Sequence, residues 1–73
     1  MPDLVERERV MRESLVSAHA AWADATARVG DYMTALSLRQ WEAAEAFRLE
    51  AMAHVEASLD RVTEAARALA DLR

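Results

Sequence analysis

Glu50 and His54 stand four residues apart, the spacing that stacks two side chains on one face of a helix, and His19 with Glu42 or Glu45 would approach them if the chain doubled back. This set is the nearest the sequence comes to a metal centre. A carboxylate-rich di-iron bundle needs Glu-x-x-His at a spacing of three with further inward glutamates, and no such pair is present. The pattern therefore predicts two surface histidines and no metal; a metal-binding helical bundle is the last of three functional readings. Nucleophilic chemistry has less to work with. There is no cysteine, and Ser14, Ser17, Ser37 and Ser58 lie in helical sequence with no glycine-rich elbow to expose a hydroxyl. A single glycine leaves no loop to cradle phosphate. We expect no catalytic residue, no cofactor and no enzymatic activity.

The elements that would position any site are helices. Alanine, leucine, glutamate and arginine dominate, and the only backbone breakers are one glycine and one proline. Lysine, isoleucine and asparagine are absent, a bias that fits a GC-rich genome, and a bacterial source is the expectation. With 73 residues the chain is one domain at most, too small for a secure core without disulfides, metal or self-association. The net charge is -4, with nine arginines scattered among thirteen acids. A nucleic-acid backbone would select a clustered basic face, so no direct nucleic-acid binding is expected. The opening Met-Pro-Asp-Leu-Val-Glu-Arg-Glu-Arg lacks the apolar run of a signal peptide, and no window has the length of a membrane span. A cytoplasmic protein with no membrane partner is the expectation.

Asp3 and Glu6 have the spacing of a capping box and place the start of a first helix at about residue 3. Met11, Leu15, Ala18, Trp22, Ala25 and Val29 then recur in steps of four and three as one seam, on which Trp22 reads as core. Gly30 follows directly, where a left-handed residue would stop the helix, and Asp31 behind it can cap the next. This predicts helix 1 over 3–29, a turn at 30–31 and helix 2 over 32–72. Ser37 with Gln40 offers a later cap for a longer connection, and one helix running through Gly30 into Tyr32 and Leu36 is the alternative. The second seam is Met52, Val55, Leu59, Val62, Ala66 and Leu69, behind an alanine-rich zone from Ala43 to Ala53. The expected fold is all-α: an antiparallel two-helix hairpin whose second helix overhangs beyond about residue 58, dimerising into a four-helix bundle.

The turn region holds an apparent repeat, Asp31-Tyr32-x-x-Ala35-x-x-Leu38-Arg39 followed by Gln40-Trp41-x-x-Ala44-x-x-Phe47-Arg48. Residues nine apart on a helix point about 180° apart, so the copies cannot share a face. The first copy, with Gly30 before it, resembles the UVR motif, the helical-hairpin interaction module of bacterial excision-repair nuclease subunits and of regulators of Clp-type proteases. The resemblance implies that Asp31 and Tyr32 sit at the interhelical turn, with Ala35, Leu38 and Arg39 on the second helix. Met33 and Gln40 stand where the family has acids. The same run is also similar to the turn of a tetratricopeptide repeat, but Arg39 and Glu42 occupy its large and small positions.

The leading functional expectation is a small non-enzymatic interaction and dimerisation module, an adaptor or regulator of a larger complex. Its partners are itself, as a homodimer, and an unidentified protein, with Asp31, Tyr32, Leu38, Arg39, Trp41 and Arg48 as the partner-binding set. Trp41 among Arg39, Gln40 and Glu42 reads equally as a contact anchor or as a second packing layer. The alternative is a phage- or mobile-element-encoded inhibitor whose acidic surface occupies a basic site on a host complex.

Overall fold

In the computed structural model, which describes residues 2–71, helix α1 spans Pro2–Ser37 and helix α2 spans Trp41–Asp71. They pack antiparallel along their whole length into a rod whose Cα extents are 57 × 13 × 12 Å.

The reversal lies at Leu38–Gln40, well beyond Gly30–Asp31. Gly30 is an interior residue of α1 with an ordinary helical φ, and both sides of it are tied. The Thr34 hydroxyl donates to the Gly30 carbonyl at 3.1 Å, and Arg28 pairs with Asp31 at 3.2 Å one turn apart. A lone glycine costs a helix only about 1 kcal/mol, and continuing the helix buries Ala35 and half-buries Tyr32 against α2. What stops α1 is a Schellman cap. The Gln40 amide donates to the Ala35 carbonyl at 2.9 Å and the Arg39 amide to Leu36 at 3.0 Å, with Arg39 in the left-handed region at φ 58°. Gln40 then starts α2, its carbonyl accepting from the Ala44 amide at 2.9 Å. Ser37 takes no part in capping, since its hydroxyl donates back to the Met33 carbonyl. At the other end Asp3 lies inside the first turn, where its charge suits the helix dipole, and Glu6 is held by Arg9 instead of reaching back to cap.

The later turn also removes the predicted overhang. With 36 and 31 residues the helices match in length, and the Arg7 guanidinium reaches the Asp71 carbonyl at 2.7 Å to close the far end.

Small residues line the seam between the helices. Ala44, Ala51, Ser58 and Ala65 recur at every seventh residue of α2, joined by Ala68, and face Ser14, Ala18, Ala25 and Ala35 of α1. Such a seven-residue repeat keeps one stripe in register along two supercoiled helices. The Ser58 hydroxyl donates across the seam to the Ala18 carbonyl at 3.2 Å, which satisfies a buried polar group and requires the backbones to lie close. Among the described residues no large side chain is fully buried.

Two substitutions check the turn. An added Cβ at Gly30 meets nothing within 4 Å, so Gly30→Ala should stabilise the fold by about 0.5–1 kcal/mol, whereas a left-handed Gly30 would make it destabilising. Arg39→Gly should likewise raise stability by about 1 kcal/mol, and thermal unfolding followed by circular dichroism reads both.

Candidate protein-interaction face

Alanine in the seam pushes the bulk of the chain outside it. On α1 the row Leu15, Trp22, Val29 and Leu36 repeats every seventh residue beside the seam, and on α2 the row Val55, Val62 and Leu69 does the same, flanked by Met52, Leu59 and Ala66. These rows lie on one side of the rod. Two shallow grooves run between them. One of about 500 Å³ lies toward the turn, lined by Val29, Tyr32, Arg48, Ala51, Met52, Val55 and Glu56. The other, of about 200 Å³, lies toward the chain ends, lined by Met11, Leu15, Val62, Ala65, Ala66 and Leu69. The opposite side of the seam is polar, with Glu13, Ser17, Arg61, Glu64 and Arg67 along it and Arg61 paired to Glu64 at 3.1 Å.

The seam predicted from sequence divides accordingly. Ala18 and Ala25 are buried, and Met11 and Val55 are half-buried. Leu15, Val29, Met52, Leu59, Val62, Ala66 and Leu69 are exposed, and Trp22, read as core, is 56% exposed. The reason is angular. A stripe that alternates Ala18 and Ala25 with Leu15, Trp22 and Val29 is wider than one neighbouring helix can cover, and the small residues took the contact. The positions missed were Ser14, Ala35, Ser58, Ala65 and Ala68, together with the seam role of Ala44 and Ala51 inside the alanine-rich zone. Their signal was present as the strict sevenfold spacing from Ala44 to Ala65.

The six expected partner-binding residues fall into three places. Tyr32 and Arg48 line the wider groove. Leu38 and Arg39 form the turn and Trp41 opens α2, with Leu38 and Trp41 more than 60% exposed. Asp31 is half-buried within α1, held by Arg28, so Asp31 and Tyr32 are not at the reversal. Arg28 also bridges the helices, lying 3.7 Å from Glu50 and 5.9 Å over the Phe47 ring centroid. Arg48 donates to Glu45 at 2.9 Å and contacts the Met52 sulfur at 3.2 Å. The hydrogen bond from Arg48 holds the Glu45 carboxyl below its ordinary pKa and raises that of Arg48 in return. A lowered carboxyl pKa contributes stability above the ordinary carboxylate range, and the contribution fades as pH falls through the folded value.

His19 is exposed on α1 and His54 half-buried on α2, and among the described residues no three His, Asp or Glu side chains come together to hold a metal. No described helix is long and apolar enough to cross a membrane. No family model matches the chain, and neither a curated protein nor a solved structure matches it.

The half-buried Phe47 is the largest apolar group joining the helices on the Arg28 side. Phe47→Ala should cost about 2 kcal/mol in chemical denaturation, and Arg28→Ala should cost less in that background than alone, because its stacking on the ring is already gone while its carboxylate pairs remain.

Proposed function

We propose that this chain is a non-enzymatic protein-interaction module that dimerises through its apolar face into a four-helix bundle and serves as an adaptor or regulator of a larger complex. The observation that carries this reading is the exposure of the two large-residue rows beside a seam made of alanine and serine. The accessible surface is 5554 Å², whereas a monomeric protein of 8.2 kDa exposes about 4,500 Å². The excess of about 1,000 Å² is close to one partner's share of a standard interface, about 800 Å².

Energetics favour the same reading. A core of seven alanines and two serines gains little from burial, since a methyl group removes far less surface than a leucine or tryptophan. Ordering about seventy residues has to be offset by apolar burial, and covering Leu15, Trp22, Val29, Leu59, Val62 and Leu69 supplies what the seam alone lacks. A second copy is a cover available wherever the chain is made.

The turn end completes the module. Leu38, Arg39 and Trp41 are exposed at the tip of the rod, and tryptophan beside arginine is the pairing enriched where proteins grip one another. In this reading the apolar face joins the copies and the tip meets the further protein.

Sedimentation over a dilution series tests the proposal. Val62→Glu, on the apolar face, should shift the equilibrium to monomer and lower the thermal midpoint together. Val16→Glu, on the outer face of α1 and 66% exposed, should change neither. A wild-type chain that stays folded and monomeric at high concentration would overturn the reading.

A further inference from the structure

Glu8 and Arg48 interrupt the two rows, one near each end; Glu56 also lines the wider groove, but at mid-rod it lies level with its own mate whichever way a second copy runs. The α1 row reads Glu8, Leu15, Trp22, Val29, Leu36, and the α2 row reads Trp41, Arg48, Val55, Val62, Leu69. Cross-helix contacts fix their levels. Ala18 lies beside Ser58 and Arg28 beside Glu50, so the middle of the rod falls near Ala20 on α1 and Glu56 on α2. At about 1.5 Å per residue, Glu8 lies about 18 Å from the middle toward the chain ends, and Arg48 about 12 Å from it toward the turn.

We infer that the second copy covers this face with its long axis reversed, so that the turn of one hairpin lies beside the chain ends of the other. The inference rests on the self-association proposed above and adds its geometry. Two hairpins packed face to face by a two-fold axis have two choices. An axis along the rod sets turn beside turn. Arg48 then lies level with its own mate and Glu8 with its own mate, which places like charges at one height. The wider groove of about 500 Å³ also faces itself, doubling a void that close-packed interiors do not leave.

An axis across the middle of the rod reverses each of these terms. Glu8 comes within about 6 Å in height of the partner's Arg48 at 1.5 Å per residue, the two standing on diagonally opposed helices of the bundle with long side chains that reach toward one another. Opposite charges then meet at both ends of the interface. The wide groove faces the narrow one, so no pair of wide grooves is enclosed. Trp22, two residues from the middle of α1, meets its own mate, and two indoles can pack offset at the axis.

Because the chain has no cysteine, one introduced thiol gives one spin label per copy. Ser37→Cys is exposed at the turn end of α1, away from the apolar face. Electron-electron distance measurement on the labelled protein should return a value close to the 57 Å length of the rod. A distance under about 30 Å, a few helix diameters, would place turn beside turn and overturn the reversed arrangement while leaving the dimer intact. No distance between copies, with monomers by sedimentation, would instead remove the dimer itself. A charge swap gives a second reading. Residues 8 and 48 lie at opposite ends of one rod, so any coupling between them must pass between copies. Glu8→Arg and Arg48→Glu should each weaken self-association about threefold to tenfold, and the double variant should recover most of the loss. Losses that simply multiply would refute the pairing.

Discussion

The hydrogen bond from Ser58 to the Ala18 carbonyl is possible only where two helix backbones approach closely, and that approach sets everything else about this chain. It demands a seam of alanine and serine, because any larger side chain between the helices would force them apart or strain its own rotamer. A seam so thin excludes bulk from the hairpin's own interior. Leucine, valine and tryptophan are displaced outside it, and the two seven-residue rows of them stand on the flank opposite most of the acids and arginines. The apolar face is thus a consequence of how the seam packs.

The same constraint explains why the turn lies where it does. A seam of small residues gains little per residue and so rewards length. Extending α1 from Gly30 to Ser37 adds two more turns of contact, including Ala35 against α2, at the modest cost of one glycine in a helix. The longer α1 also brings the chain ends level, so that Arg7 can close on Asp71. A turn at Gly30 would have left α2 beyond about residue 58, more than three turns, without a neighbour. The fold accepts a left-handed arginine at 39 in exchange for that continuous contact.

How much of this was legible in the sequence follows from which signals are local. Helical content, two elements and an antiparallel return were readable from composition and the steps of three and four. The turn was not, because glycine is the usual left-handed residue and the residue that adopts that conformation here is Arg39, which carries no such mark. The seam was misjudged for a different reason. Hydrophobic periodicity identifies the stripe that wants to leave water, and it weights Leu15 and Trp22 above Ala18 and Ser14. Which part of a broad stripe meets the neighbouring helix is decided by how closely backbones can approach, and there small residues prevail. The sevenfold recurrence of Ala44, Ala51, Ser58 and Ala65 records that choice, and alanine's abundance elsewhere masks it. Tyr32 and Arg48 were selected for proximity to a turn and instead share a groove, which the displaced turn accounts for.

A hairpin of this design separates two tasks that most small domains combine. Folding specificity lives in the seam, where a change of one methylene disturbs the backbone spacing along the rod. In the dimer we propose, adhesion lives in the exposed rows, whose large side chains can vary in shape without altering how α1 meets α2. The seam therefore constrains alanine and serine, while the rows constrain only apolarity and the placement of charge. Glu8 and Arg48 are the two members of the rows that break apolarity, and each is held through its charged group by a neighbour, Arg12 and Glu45 respectively. Held this way they disfavour an indiscriminate apolar contact, since any cover must either accommodate a charge at each end or leave it facing a low-dielectric surface. In the dimer we propose, the rows supply attraction, and these two charges restrict which partner, and in which direction, can use it.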